Sequence, residues 1–111
     1  MVAVDRIRRG DVVLVALDPV RGRELRKSRP CLVVSPDELN AHWATVIVAP
    51  MTTGGRAYPF RLPCRFARKN GFVVLDQVRS IDRTRITRKL GRISPTVMAR
   101  SLDVLREMFE T

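Results

Sequence analysis

The feature that most limits what this chain can become is a succession of short β-branched runs cut by glycine and proline. Gly10-Asp11 opens the run Val12–Leu17, Asp18-Pro19 closes it, Arg29-Pro30 leads into Pro30–Ser35, and Ala44–Met51 is apolar almost throughout. Short runs of this kind, bounded by turn formers, read as strands. A strand without polar alternation reads as covered on both faces, which puts Ala44–Met51 at the centre of a sheet. A loop of about a dozen residues separates the first two runs, longer than most connections. Pro36–Asn40 reads as a turn or one helical turn, and Thr52-Thr53-Gly54-Gly55 breaks the pattern again. Tyr58–Pro63 alternates apolar and polar residues and Asn70-Gly71 introduces Phe72–Leu75, a pair of strands with a hairpin-like junction that Gln77–Ile81 extends. Arg85–Ile93 alternates weakly and is expected at an edge. Ser94-Pro95 is a helix start, and Met98, Leu102, Leu105, Met108 and Phe109 then recur at helical spacing as the stripe that packs on the sheet. About five to seven short strands and one terminal helix predict a mainly β fold, a small SH3-like β-barrel with a C-terminal α-helix, in a single domain over residues 1–111.

Charge narrows the function. The 111 residues carry 21 Lys+Arg against 11 Asp+Glu, a formal +10, while 45% apolar residues supply a core. That combination describes a folded domain with a field that concentrates polyanions, of which nucleic acid is the commonest. Most of the basic residues fall in three segments, Arg21–Arg29, Arg56–Lys69 and Arg79–Arg92, and the first holds a single acid, Glu24. Aromatic residues are only 5%, so contacts to a nucleic acid should be electrostatic and hydrogen-bonded more than stacked. The longest apolar runs fall far short of the roughly 18 residues of a membrane-spanning helix, and the charged N-terminus lacks the apolar segment of a signal peptide. No membrane association and a cytoplasmic location are expected. Cys31 and Cys64 stand apart among apolar or proline neighbours and are expected to be free buried thiols. His42 is the one histidine, so neither a metal site nor a cofactor is expected, and a mechanism with two histidines is ruled out.

Four blocks, Arg9-Gly-Asp-Val-Val-Leu-Val, Asp18-Pro-Val-Arg-Gly-Arg-Glu24, Arg29-Pro-Cys-Leu-Val-Val-Ser-Pro36 and Ala49-Pro-Met-Thr-Thr53, stand in order before a fifth, Asp76-Gln-Val-Arg-Ser-Ile-Asp82. With these in register the chain resembles the MazF/PemK family of toxin endoribonucleases from about Arg9 to Phe109. The resemblance implies the CcdB/PemK/MazF-like barrel, a homodimer, a cognate MazE-like antitoxin, and metal-independent, sequence-specific cleavage of single-stranded RNA. The cut is expected by 2′-hydroxyl attack, leaving a 2′,3′-cyclic phosphate and a 5′-hydroxyl. It also implies Arg29 and Thr52 as catalytic positions, with Glu24 as the acid of the preceding loop. The PemK branch instead uses an arginine two residues before the Asp-Gln pair and a histidine in the first long loop. Here those positions hold Val74 and Arg23, which places the chain in the MazF-like branch with Asp76 as a substrate contact.

The residues themselves suit that chemistry. Pro30 limits the backbone beside Arg29, whose planar fork can give two hydrogen bonds to phosphate oxygens. Thr52 adds a hydroxyl, and N–H groups near Thr53 and Gly54 add donors, which together make an electrostatic site for a charged transition state. Glu24 either takes the 2′-hydroxyl proton or holds Arg29 in place. His42, in Asn-Ala-His-Trp, lies away from these blocks. Arg21, Arg26 and Lys27 are expected on phosphates, whereas Gln77, Arg79 and Ser80 are expected at base edges. Two other readings compete: a non-catalytic CcdB-like gyrase poison, whose C-terminal tryptophan this chain lacks, and a basic RNA-binding barrel that does not turn over.

Overall fold

A computed structural model of the chain describes residues 6–16 and 28–111. Within them lie β1 (Asp11–Ala16), β2 (Ser28–Val33), α1 (Asp37–His42), β3 (Thr45–Thr53), β4 (Arg61–Phe66), β5 (Lys69–Val74), β6 (Arg79–Asp82), β7 (Ile86–Arg92) and α2 (Pro95–Met108). Leu17, the end of the first expected strand, and the long loop after it lie outside the described residues. The fold is mainly β with a terminal helix, as the sequence predicts.

The apolar run at Thr45–Thr53 does become the central strand. β3 pairs antiparallel with β2 on one side, and on the other with β6 along its first half and β5 along its second. The path β4-β5-β3-β2-β1-β7 has two free ends, so hydrogen bonds do not close the barrel among the described residues. Because β3 is covered on both faces, its alternate residues feed two cores. Val46 and Val48 join Val13, Val15, Cys31, Val33 and Ile81 on one face. Ala49 and Met51 join Val12, Leu32, Leu62, Val73 and Leu75 on the other, where α2 docks.

Several local expectations shift. β4 begins at Arg61, three residues later than the alternation at Tyr58 suggests, because Tyr58–Phe60 forms a turn with Phe60 at φ +66. Asn70-Gly71 is not the hairpin turn. The reversal falls at Ala67 and Arg68, both left-handed at φ +51 and +65, and Gly71 lies inside β5. Its reason is contact and not torsion: a Cβ on Gly71 would sit 1.7 Å from the Thr52 carbonyl oxygen. Gln77 does not extend β5 into β6, since a 3₁₀ turn, Leu75–Gln77, separates them.

α2 starts where Ser94-Pro95 places it, with the Ser94 hydroxyl accepting from the Val97 N–H at 3.2 Å, a cap worth about 1 kcal/mol. Its buried stripe is rotated from the expected one. Val97, Met98, Val104, Leu105 and Met108 pack on the sheet around a fully buried Ser101, whereas Phe109 is 77% exposed. Ser101 satisfies its hydroxyl on the Val97 carbonyl at 2.8 Å, so its small side chain lets the helix approach the strands closely.

Buried polar groups fix the surrounding turns. Asp11 is 2% exposed and receives the Arg8 N–H at 2.9 Å, Arg92 at 2.6 Å and Lys89 at 3.4 Å. Arg83 donates to the carbonyls of Asn40 and Trp43, tying α1 to the turn after β6. Much of the third basic segment is therefore structural.

Candidate functional site

The ladder between β2 and β3 brings the two halves of the sequence motif to one place. Cys31 faces Pro50, Leu32 faces Ala49 and Val33 faces Val48. Arg29 lies two residues before Cys31, and Thr52 two residues after Pro50. Side chains alternate along strands and residues paired across a ladder share a face, so Arg29 and Thr52 stand on the same face at the same end of the ladder. Arg29 is also paired with Val15 of β1, which holds its backbone from the other side.

Thr52 is set by β5. It faces Phe72, and Thr53 faces Gly71. The Thr52 Oγ1 and the Phe72 ring both come within 4.0 Å of where a Gly55 Cβ would be, which places both side chains on that one face. The Thr52 hydroxyl is half-buried and lies 3.5 Å from the Gly54 carbonyl, to which it donates; its lone pairs stay free to accept. Thr53 is exposed at the strand end, and the Gly54 N–H is spent on the Asn70 carbonyl at 2.9 Å, so Gly54 does not supply the expected free donor.

The remaining described candidates sit farther along the same strand. Val48 pairs with Arg79 and Ile47 with Ser80, so both residues are on β6 against the first half of β3. Asp76 and Gln77 occupy the 3₁₀ turn between the β5- and β6-paired stretches and are exposed. Burial pushes the Cys31 thiol up to about 12, against the lowering influence of the Arg29 and Arg79 charges. Glu24, Arg21, Arg26 and Lys27 lie outside the described residues.

Behind this polar face is a cavity of about 200 Å³, lined by Pro30, Met51, Cys64, Phe66 and Leu90 and bordered by Thr52. It belongs to the core that α2 covers, and burial there also pushes the Cys64 thiol up. Both cysteines are free. His42 is exposed in the last turn of α1, away from the Arg29–Thr52 end.

Two residues at this end carry no role that sequence reasoning assigns. In sequence Arg61 is one basic residue among many, yet its Nε and Nη2 donate to the two carboxylate oxygens of Asp76 at 3.0 and 3.2 Å. Tyr58 lies with its ring centroid 5.0 Å from the Arg61 guanidinium carbon. The Arg61 hydrogen bond holds the Asp76 carboxyl below its ordinary range. The available signal was Tyr-Pro-Phe-Arg, an aromatic turn ahead of a strand; the acid partner, fifteen residues on, carries no local mark.

Known proteins resemble the chain over nearly its whole length. The family model described as PemK-like, MazF-like toxin of type II toxin-antitoxin system matches residues 8–109. The chain is 34% identical to the endoribonuclease toxin MazF of Escherichia coli K12, over 78% of each chain. It is likewise 34% identical to endoribonuclease MazF9 of Mycobacterium tuberculosis, over 90% of this chain and 93% of that one. The MazE-MazF crystal structure from Deinococcus radiodurans superposes with a TM-score of 0.80 at 28% identity, over 93% of this chain and 95% of that one. With the family model matching nearly the whole chain and relatives at 34% identity over most of their length, the chain belongs to the PemK-like, MazF-like toxin family of type II toxin-antitoxin systems.

Proposed function

We propose that this chain is the toxin of a toxin-antitoxin pair and a sequence-specific endoribonuclease that cuts single-stranded RNA without a metal ion. The observation that carries the reading is the common face of Arg29 and Thr52 at one end of the β2–β3 ladder. A phosphodiester laid across that end meets a two-donor guanidinium and an alcohol together. The RNA 2′-oxygen attacks the adjacent phosphorus, its proton passes to a base, and the P–O5′ bond breaks as the 5′-oxygen takes up a proton. The products are a 2′,3′-cyclic phosphate and a 5′-hydroxyl. Arg29 neutralises the charge that grows on the non-bridging oxygens, and Thr52 Oγ1 orients the attacking hydroxyl. Glu24 is the carboxylate assigned either to the 2′-hydroxyl proton or to holding Arg29.

Arg21, Arg26, Lys27 and Thr53 would follow the RNA backbone, while Asp76, Gln77, Arg79 and Ser80 would meet bases. A homodimer and a MazE-like antitoxin complete the reading, with the cytoplasm, where its RNA lies, as the site of action. Among the described residues, no helix is long and apolar enough to cross a membrane. The test is incubation with a long unstructured RNA in EDTA and mass spectrometry of the fragments. Cyclic-phosphate and 5′-hydroxyl ends are expected. Intact RNA, or cutting that EDTA abolishes, would overturn the reading in favour of a gyrase poison, a passive RNA binder or a metal nuclease.

A further inference from the structure

Arg61 and Thr52 share a face of the sheet. Thr52 pairs with Phe72, Phe72 pairs with Pro63, and two residues along the same ladder Val74 pairs with Arg61. Paired residues, and those two apart, point the same way, whereas Leu62, Val73 and Met51 point into the core behind. With strands ~4.8 Å apart and ~3.3 Å per residue, the two Cα atoms are separated by about 12 Å. That is within the span of a few nucleotides of an extended strand.

At this point the chain builds a rigid acceptor. Arg61 grips Asp76 through two nearly parallel hydrogen bonds, at 3.0 and 3.2 Å, and both side chains remain accessible, at 26% and 35% exposure. Tyr58 borders the guanidinium and is itself 54% exposed. The backbone is fastened too: the Arg61 N–H reaches the Tyr58 carbonyl and the Leu75 N–H the Phe60 carbonyl, each at 3.1 Å. Phe60 accepts a left-handed φ of +66 to make the turn. An exposed ion pair adds little to stability, so stability gives scant reason for so constrained an arrangement. Its lasting product is a carboxylate with fixed orientation, held by Arg61 and by the Asp76 N–H, with acceptor capacity left over for a further donor.

We propose that the Tyr58–Arg61–Asp76 cluster is a base-reading subsite that accepts a nucleobase bearing an exocyclic amine and rejects uracil, with Arg61 as the positioning residue. The inference rests on the ribonuclease reading and specifies how that site selects its RNA. Cytosine N4, adenine N6 and guanine N2 each carry N–H donors for the free lone pairs. Uracil presents carbonyl oxygens on either side of its N3–H, and these repel an ionised carboxylate. Tyr58 supplies a ring on which the selected base can rest. A lysine at position 61 would keep the charge but not the fork, so it would attract RNA without orienting Asp76.

The experiment uses a panel of short oligoribonucleotides around a mapped cleavage site, each flanking position carrying A, C, G or U in turn. For wild type, kcat/KM at one flanking position should fall about tenfold when uracil is placed there, while the three amine-bearing bases are tolerated. Asp76→Asn should erase or invert that penalty, because its amide can donate to the uracil O4. Arg61→Lys should weaken the discrimination at the same position and leave the salt dependence of binding unchanged. Equal losses for every oligonucleotide, or an unchanged base preference in Asp76→Asn, would overturn the proposal. The same panel as uncleavable 2′-O-methyl RNA, read by equilibrium binding, keeps the two inferences separable. Base discrimination that depends on Asp76 without any cleavage would sink the ribonuclease reading alone, and cleavage without that discrimination would sink the subsite alone.

Discussion

Replacing Gly71 by alanine tests whether the position of Thr52 is a property of strand packing. The added Cβ would stand 1.7 Å from the Thr52 carbonyl oxygen, 2.7 Å from its carbonyl carbon and 3.0 Å from Thr53 Cα. A carbon and a carbonyl oxygen ordinarily stay about 3.3 Å apart, so the strands must separate by roughly 1.5 Å. All three obstructing atoms are backbone, and no side-chain rotation relieves them. Over-packing of this kind costs about 1–3 kcal/mol, which for a domain of this size lowers the melting temperature by roughly 4–20 °C. A misplacement of about 1 Å at reacting groups costs on the order of 10² in rate. Single-turnover cleavage of a labelled oligoribonucleotide, run well below the melting temperature, should show kcat reduced about 100-fold with KM changed far less. Asn70→Ala, which alters the exposed neighbour, serves as the control and should retain most activity. Gly71→Ala with full kcat but reduced stability would refute the idea that β5 sets the catalytic hydroxyl.

Two further predictions concern the scaffold. The β4–β5 reversal holds Ala67 and Arg68 at positive φ, a conformation that costs most L-residues about 1 kcal/mol each, so Ala67→Asn with Arg68→Gly should raise the unfolding free energy by roughly 1–2 kcal/mol in urea titrations. No gain would contradict the turn geometry. Burial raises the Cys31 thiol from 9.0 to about 12, so it stays protonated in the folded protein while the unfolded chain ionises. Its stabilising effect is complete below about pH 9 and is lost as pH rises toward 12; Cys31→Ala should flatten that part of the alkaline decline, and identical slopes would argue against a buried thiol.

The parts of the fold legible in the sequence are those set by local pattern. A nearly unbroken apolar run announces a doubly covered strand, and β3 is that strand; Ser94-Pro95 needs only its own neighbours to start α2. Long-range contact is what local pattern omits. Asn70-Gly71 looks like a turn because Asn-Gly so often is one, yet here the glycine answers to the Thr52 carbonyl on another strand. Ser101 is absent from the apolar stripe expected of the helix, yet it is buried at the centre of the packed face, because its hydroxyl bonds within the helix. Arg29 and Thr52 could be nominated from motifs, whereas their common face follows from a register that the sequence does not state. Arg61 illustrates the limit most clearly. The aromatic turn before it is a weak local mark that does not point to a partner, and only the pairing of β4 with β5 brings it beside Asp76.

The central claim is that Arg29 and Thr52 act on one scissile phosphate. A double-mutant cycle on single-turnover cleavage rates, with Arg29→Ala, Thr52→Val and the pair together, measures this most directly. Arg29→Ala alone should cost about 10²–10³ in rate. If the two side chains serve the same transition state, the double variant should be only slightly slower than the slower single one. Rate losses that simply multiply would mean that the two residues act independently, and would contradict the account.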